Sequence, residues 1–416
     1  MSLVISVIGI LVLLGLAFAL SEKKKSVNFK LVALALGTQV FFAALVLYIP
    51  TGQAVLNSVT SAVSSVIGYA EDGMVFMFGG LATNKMHEVF PGNGFVFAFK
   101  VLPIVVFFSA LVAVLYHYGI MQMVVRILGG GLQKLLGTSP AESLSATSNI
   151  FVGQTEAPLV VRPYISRMTR SELFAVMVGG LASIAGSVMA GYTAMGVELK
   201  YLIAASFMSA PGGILMAKII IPETEKTAHA GEVEDVAAHD KPANAIDAAA
   251  TGAADGLKLA ANIGGMLIAF ISLIALLNGM LGGIAAWFGA EGLTIQEILG
   301  YLFSPLAWVI GVPSTEISAV GSLIGQKLIL NEFVAYSEFI NIRETLSPSS
   351  QVIATFALCG FANLSSIAIL LGGLGTMAPN RRQEIARLGL KAVAAGTLAN
   401  LMSATIAGMF FNLGSL

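Results

Sequence analysis

A carboxylate and two hydrogen-bonding side chains stand together inside an apolar stretch of this chain. Gln154, Thr155 and Glu156 follow Gly153 and precede Pro158. An ionisable residue at membrane depth costs about 2.5 kcal/mol or more, so it usually faces a cavity, a partner or a substrate. We therefore predict that Glu156 belongs to a binding site. The alternative is that Glu156 caps a half-helix that begins at Pro158, which is ordinary helix chemistry; the two roles are compatible.

The composition of the chain is that of a polytopic helical membrane protein. Of 416 residues, 56% are hydrophobic and 11% charged, and the mean hydropathy is +0.87, whereas soluble proteins carry about 25% charged residues. The net charge is −1 without a basic block, so no nucleic-acid partner is indicated. The single cysteine, Cys359, excludes a disulfide within one chain, and the four scattered histidines lack the spacing of a zinc site.

The hydrophobic segments predict eight membrane spans and several interfacial helices. Full spans are expected near 3–20, 31–49, 96–118, 169–192, 201–221, 249–280 and 350–373, with the last one toward the C-terminus. Amphipathic segments at 51–70, 121–136 and 293–310 predict helices along the interface, and glycines with Pro91 predict a loop at 71–94.

The segment from Ser139 to about residue 165 predicts a re-entrant hairpin. Ser139, Pro140 and Glu142 form the pattern of a capping box with proline in the first turn. A helix from Pro140 to Val152 would be about 20 Å long, short of the roughly 30 Å hydrocarbon core. Gly153 and Pro158 then interrupt it. Irregular backbone at that depth must line a cavity.

The same order of elements occurs twice, about 175 to 180 residues apart. The segment 311–316 resembles 137–142 in its glycine, proline and glutamate, and predicts a second hairpin at about 313–345. The segment 360–366 likewise corresponds to 180–186. Paired interrupted segments in two halves of a chain indicate a transporter with an inverted repeat.

These features divide the chain into five regions. They are the N-terminal spans with a scaffold helix (1–118), the first repeat of a transport domain (119–221), a polar cytoplasmic linker (222–248), a second scaffold helix (249–290) and the second repeat (291–416).

Basic residues predict the orientation in the membrane. A set of basic residues falls on one side of the membrane if both hairpins are re-entrant, and this excess of positive charge makes that side cytoplasmic. The set is Lys23, Lys24, Lys25, Arg126, Lys134, Arg162, Arg167, Arg170, Lys226, Arg381, Arg382 and Arg387. Both termini are then expected outside, and the two hairpins enter from opposite faces.

Three motifs together resemble the bacterial concentrative nucleoside transporters over nearly the whole chain. They are Gly153-Gln154-Thr155-Glu156-Ala157-Pro158, Asn331-Glu332-Phe333-Val334-Ala335-Tyr336 and Gly360-Phe361-Ala362-Asn363-Leu364-Ser365-Ser366. The resemblance implies a secondary active transporter, not an enzyme, that imports nucleosides by sodium symport across the bacterial cytoplasmic membrane. It further implies a homotrimer, with a scaffold near 96–118 and 257–282, and a transport domain that moves as an elevator.

Site residues follow from the same resemblance. The nucleobase contacts would be Gln154, Thr155 and Glu156, with Val188 nearby. The ribose contacts would be Glu332, Asn363 and Ser366, and the apolar walls Leu259 and Phe361. An amide and a hydroxyl can satisfy the edge of a nucleobase, and ribose hydroxyls donate well to a carboxylate.

The resemblance also implies a sodium site. Its ligands would be the side chains of Asn149 and Ser183 and the backbone carbonyls of Val152 and Ile184. Proton-coupled relatives tend to lack the asparagine, so Asn149 favours sodium. The alternative is that Asn149 only bonds freed backbone and that Ser183 is a small packing residue.

The sequence is also compatible with other functions. A proton-coupled symporter, or a nucleoside-gated channel or receptor, would use the same broken helices. A membrane enzyme would need an acid and base pair, which Glu156 and Glu332 could supply in principle.

Overall fold

A computed structural model describes residues 2–83, 85–90, 94–225, 242–287 and 293–414. Within these residues the secondary structure is helical, without strands. The α-helices are α1 (Ser2–Ala19), α2 (Phe29–Leu47), α3 (Pro50–Gly68), α4 (Ala70–Phe78), α5 (Lys85–Val89), α6 (Phe97–Lys100), α7 (Leu102–His117), α8 (Ile120–Leu136), α9 (Pro140–Ser148), α10 (Arg162–Ile165), α11 (Arg170–Ala182), α12 (Gly186–Ala194), α13 (Leu199–Ile220), α14 (Ala245–Trp287), α15 (Ile295–Val309), α16 (Ile317–Ile329), α17 (Glu332–Ile342), α18 (Pro348–Leu358), α19 (Ser366–Met377) and α20 (Arg382–Gly414).

The predicted spans correspond to helices of the structure. In the described part of the chain, six helical segments are long and apolar enough to cross a membrane. They are α2, α6 with α7, α11 with α12, α13, α14 and α20 with its preceding turn. The shorter apolar α1 and the interrupted pair α18 and α19 complete the predicted set of eight.

The predicted loop at 71–94 is wrong for its first part. Residues 70–78 form α4, and a 3-10 helix covers Gly79–Ala82 before the short α5. Glu71 and Asp72 lie in the first turn of α4, where acidic side chains stabilise the positive end of the helix dipole. This contribution offsets the helix-weakening effect of Gly73, at least in part. Residues 91–93, with Pro91, lie outside the described residues.

A long helix, α14, packs along α7 through small residues. An added Cβ on Gly252 would lie 2.6 Å from Ala113 Cβ, and one on Gly256 would lie 2.8 Å from Val106 Cα, so only glycine permits this approach. The 43 residues of α14 give a length of about 65 Å, beyond the hydrocarbon core. It begins at Ala245, four residues before the predicted start at 249. Residues 226–241 of the predicted linker lie outside the described residues.

The first hairpin has a shorter first arm than predicted. The capping box at Ser139 and Glu142 is present, and the amphipathic α8 packs against α9. However, α9 ends at Ser148, not Val152, and the second arm is a 3-10 helix at Ala157–Val161 followed by α10. After Ser148 the backbone tightens, since Ile150 N donates to Thr147 O at 3.1 Å and Phe151 N to Ser148 O at 3.0 Å. The Phe151 carbonyl accepts from Gly186 N at 2.9 Å, a residue outside the hairpin.

Two predicted spans are broken in the middle. The span near 169–192 consists of α11 and α12, separated by residues 183–185, and the span near 350–373 consists of α18 and α19, separated by residues 359–365. Phe361 N donates to Ser183 O at 3.1 Å. The two breaks are therefore in direct contact, and each lies beside a hairpin.

The second hairpin begins without the capping box of the first. Glu316 precedes α16 but makes no side-chain cap; its carboxylate accepts from Ser347 N at 3.2 Å and Ser347 Oγ at 2.9 Å. Glu316 thereby fixes the start of α18 to the base of the hairpin. At the hairpin tip, Asn331 caps α17 by accepting from Val334 N at 2.9 Å.

Candidate functional site

Gln154 lies at the tip of the first hairpin and contacts both repeats. Its side chain is buried, and Nε2 donates to Ser366 Oγ at 3.4 Å. Its Oε1 is buried without a hydrogen-bond partner. Gly180 of α11 supports it from behind, since an added Cβ there would lie 2.8 Å from Gln154 Cβ. The amide thus has a free acceptor, which costs about 1–3 kcal/mol when buried and unsatisfied.

Thr155 and Glu156 continue the hairpin tip. Thr155 is half-buried against Gly373 of α19, where an added Cβ would lie 3.0 Å from Thr155 Cγ2. Glu156 is exposed, and its Oε2 accepts from Gly153 N at 3.1 Å. It makes no side-chain cap to the helix at Ala157–Val161, so the capping alternative is not how the side chain is used.

Glu332 begins α17 at the tip of the second hairpin and is fully enclosed. Oε1 accepts from Tyr192 Oη at 3.1 Å, and Oε2 accepts from Asn363 Nδ2 at 3.0 Å. Asn363 Oδ1 in turn accepts from Ser366 N at 2.9 Å. Through Ser366 Oγ the chain of hydrogen bonds reaches Gln154. The structure therefore joins Gln154, Glu332, Asn363 and Ser366 into one network between the hairpin tips.

Tyr192 was missed by the sequence analysis. It is fully buried on α12, and its ring centroid lies 4.6 Å from that of Phe333 and 4.5 Å from that of Tyr336. A tyrosine hydroxyl in an apolar span needs a hydrogen-bond partner, which was the available signal. It bonds Glu332 Oε1, whereas Asn363 bonds Oε2.

The apolar candidates are distributed over three elements. Val188 is buried on α12 and Phe361 is half-buried in the second helix break. Leu259 is half-buried on α14, outside both repeats. Val188 lies four residues before Tyr192 and Phe361 lies two residues before Asn363. Leu259 belongs to the helix that packs on α7.

Several oxygen atoms that can still accept a bond lie where the first hairpin meets the break between α11 and α12. Asn149 is fully buried; its Nδ2 donates to Ser145 O at 2.9 Å, but its Oδ1 has no partner. Ser183 Oγ donates to Gly179 O at 3.0 Å and keeps its lone pairs. Among the hydrogen bonds of the described residues, none reaches the carbonyl oxygens of Val152 or Ile184.

The two sides of this junction are close together. An added Cβ on Gly179 would lie 3.3 Å from Asn149 Nδ2, and Gly186 N donates to Phe151 O. Neutral oxygens at a broken helix end suit a monovalent cation, as in other transporters with discontinuous helices. The described residues contain no cluster of His, Cys, Asp and Glu that would hold a transition metal.

Sequence comparisons find the same family along the whole chain. Residues 8–81 and 201–408 match the families described as the N-terminus and C-terminus of a Na+ dependent nucleoside transporter, and residues 98–198 match one described as Gate, nucleoside recognition. The chain is 48% identical to the nucleoside permease NupC of Helicobacter pylori, over 99% of this chain and 98% of that protein. It is 37% identical to the human sodium/nucleoside cotransporter 1, over 98% of this chain and 64% of that protein.

Solved structures show the same fold. CNTnw in an inward-facing substrate-bound state is 57% identical, with a TM-score of 0.96, and covers 100% of this chain and 99% of its own. A variant of CNTnw in an outward-facing state has a TM-score of 0.97 at 58% identity, with 99% of both chains covered. The predicted all-α membrane fold is thereby confirmed, as is the expectation of a transporter rather than an enzyme, since the relatives are transporters and permeases. This chain belongs to the concentrative nucleoside transporter family.

Proposed function

We propose that this protein imports nucleosides by symport with sodium. The observation that carries the proposal is the hydrogen-bonded network between the two hairpin tips, next to a junction of oxygen atoms that lack partners. In this proposal sodium is a co-transported ion, not a resident cofactor. The names of the mammalian relatives support this ion, and the family matched over 201–408 is described as sodium dependent.

The nucleobase is recognised by the first hairpin. Gln154 Oε1 offers an acceptor, while Thr155 and Glu156 add a hydroxyl and a carboxylate at the same tip. The base edge presents both donors and acceptors, so these three side chains can complement it. Val188 and Phe361, with Leu259 from α14, supply apolar walls.

The ribose is recognised by the second hairpin and the second break. Glu332 is held by two donors, Tyr192 and Asn363, and a carboxylate can accept more than one further hydrogen bond. Ribose hydroxyls are therefore expected to donate to Glu332 and to contact Asn363 and Ser366. Charge-assisted bonds of this kind are stronger than neutral ones.

Sodium is expected at the junction of the first hairpin and the first break. The fit rests on the buried, unpartnered Oδ1 of Asn149 and on the free carbonyl oxygens of Val152 and Ile184, with Ser183 Oγ completing the set. A cation there satisfies oxygens that would otherwise be left without partners in a buried site, which favours occupancy. It also fixes the hairpin tip that carries Gln154, which links ion binding to substrate binding.

We propose that α7 and α14 form the scaffold of a homotrimer. α14 keeps large apolar side chains exposed, for example Leu257 at 62% and Ile268 at 74%, and most side chains of the apolar α7 are only partly buried. Such surfaces suit lipid and neighbouring copies in a homotrimer. The repeats then move against this scaffold as an elevator, a proposal supported by the relative's inward- and outward-facing structures.

We place the protein in the bacterial cytoplasmic membrane with both termini outside. Two of the residues predicted to be cytoplasmic come together in the structure, since Arg170 and Arg381 both pair with Glu384, at 3.5 Å and 2.6 Å. Glu22, which precedes the basic Lys23, also accepts from Arg170 at 3.0 Å. Basic residues at one end of the bundle agree with the positive-inside rule.

Uptake of labelled uridine into proteoliposomes tests the function, with sodium and proton gradients imposed separately. Accumulation of unchanged uridine above the outside concentration, driven by sodium alone, is expected. Accumulation driven only by protons would assign the proton-coupled alternative, and equilibration without accumulation would indicate a channel.

A further inference from the structure

A lysine is buried in the second hairpin without a carboxylate partner. Lys327 is 2% exposed, and its Nζ donates to Ala357 O at 2.8 Å and to Asn400 Oδ1 at 2.7 Å. Among the described ion pairs, none includes Lys327. Buried charges are normally paired with a charge of the opposite sign, so an ammonium held only by neutral oxygens calls for a role.

Its partner Asn400 contacts both broken helices. Asn400, on α20, donates through Nδ2 to Ala182 O at 2.6 Å and to Cys359 O at 2.9 Å. Ala182 ends α11, and Cys359 follows the last residue of α18. Together with the bond to Ala357 O, the Lys327–Asn400 pair therefore satisfies terminal carbonyls of α11 and α18. A cation is favourable at such carbonyl ends because of the helix dipole.

The pair also lies where the repeat predicts a cation. In the first repeat Gly186 N donates to Phe151 O, and in the second Leu364 N donates to Leu328 O at 3.0 Å. These equivalent bonds relate residues 177 or 178 positions apart. Lys327 stands 178 positions after Asn149, the proposed sodium ligand. The ammonium thus takes the place in the second repeat that the sodium junction has in the first.

We propose that Lys327 is a tethered cation of the second repeat and that, with Asn400, it couples the sodium junction to the nucleoside network. The pair bonds Ala182 O, one residue before the sodium ligand Ser183, and Lys327 lies five residues before Glu332 on the same hairpin. This inference rests on the proposed sodium symport. It names Lys327 and Asn400 as positioning residues, because they act on the helix ends that carry the proposed ligands.

The measurement is the factor by which saturating sodium raises uridine affinity in the purified full chain. A coupling of this kind is reciprocal, so the same factor must appear in sodium affinity with and without uridine. The variants are Lys327→Met, Asn400→Ser and the double variant. Lys218→Met is the matched control, since Lys218 is also buried and bonds Ser171 and Glu142 outside the site.

We expect Lys327→Met and Asn400→Ser each to reduce the sodium factor about tenfold or more, within the usual range of couplings. The double variant should lose no more than Lys327→Met alone, because both residues act through one pair. Lys218→Met should lower the melting temperature and keep the wild-type factor. If Lys327→Met does not fold, the sodium factor of Asn400→Ser alone tests the inference.

Two results would overturn the inference. A wild-type sodium factor in folded Lys327→Met or Asn400→Ser rejects it while leaving sodium symport intact. A wild-type chain whose uridine affinity ignores sodium rejects the symport proposal and the inference with it.

Discussion

Asn363 donates to Glu332 across 3.0 Å, which joins the break between α18 and α19 to the tip of the second hairpin. Because Ser366 also bonds Asn363 and Gln154, a shift of either hairpin must alter the same network. Polar networks of this kind are stable only when each member is satisfied. A bound nucleoside that completes the network would therefore fix both hairpins at once.

Gly180→Ala should weaken uridine binding by displacing Gln154. The added Cβ would lie 2.8 Å from Gln154 Cβ and 3.1 Å from its Cα, and neither atom can rotate away. We expect uridine affinity to fall tenfold or more, which corresponds to about 1.4 kcal/mol. Titration of the purified variant measures it.

Gly372→Ala is the matched control for that variant. Gly372 is also helical, but an added Cβ there meets no atom within 4 Å. It should bind uridine like the wild type. Equal affinity in Gly180→Ala and Gly372→Ala would show that the Gln154 position does not control binding.

Asn149→Ala and Ser183→Ala should each raise the sodium concentration that gives half-maximal uridine uptake. Each removes one of the proposed oxygen ligands at the junction, and a tenfold increase corresponds to about 1.4 kcal/mol. Thr147→Val is the control, since it removes a buried hydroxyl from the same helix that bonds only Ser143 O. Uptake that ignores sodium and follows a proton gradient would remove the sodium assignment.

The hairpins and their repetition could be predicted because their signals are local. The capping box at Ser139 and Glu142, which begins the first hairpin, is present in the structure. The motif residues Glu332, Asn363 and Ser366 also come together in the structure, and their contact with ribose stays a prediction. The glycine and proline residues that interrupt the hairpin helices can be recognised from a few neighbouring residues.

What could not be predicted depends on distant partners. Tyr192 bonds Glu332 140 positions away, and Lys327 bonds Asn400 73 positions away. The Phe151 carbonyl likewise accepts from Gly186, which lies 35 positions away. No local pattern records these contacts, because they join elements that are distant along the chain and meet only when the protein folds.

Glu22→Gln should destabilise the protein at neutral pH but not in acid. The hydrogen bond from Arg170, with a further one from Lys391, holds the pKa of Glu22 below its ordinary value of 4.5, against the opposing effect of partial burial. A depressed folded pKa gives stability that is present above the unfolded pKa and is lost as the pH falls through the folded pKa.

Melting temperatures of wild type and Glu22→Gln, compared from pH 7 down to about pH 3, check this sign. The difference should be largest at pH 7 and should shrink below 4.5, where Glu22 becomes protonated. A constant difference across the range would mean that the carboxylate charge does not stabilise this contact.

Glu332→Gln should impair uridine transport severely. The substitution keeps the shape and removes the charge, and a hydrogen bond to a charged acceptor contributes about 1.5–3 kcal/mol. The 2′- and 3′-deoxy nucleosides should lose less from the mutation than uridine, because each already lacks one hydroxyl that would donate to Glu332. Tyr192→Phe is the control: it removes one donor to the carboxylate but keeps the charge, so its loss should be similar for all three substrates. Uptake and melting temperature are measured for both variants. If Glu332→Gln lost uridine and deoxy transport equally and also melted at a lower temperature, Glu332 would be a structural residue of the hairpin tip rather than a ribose contact.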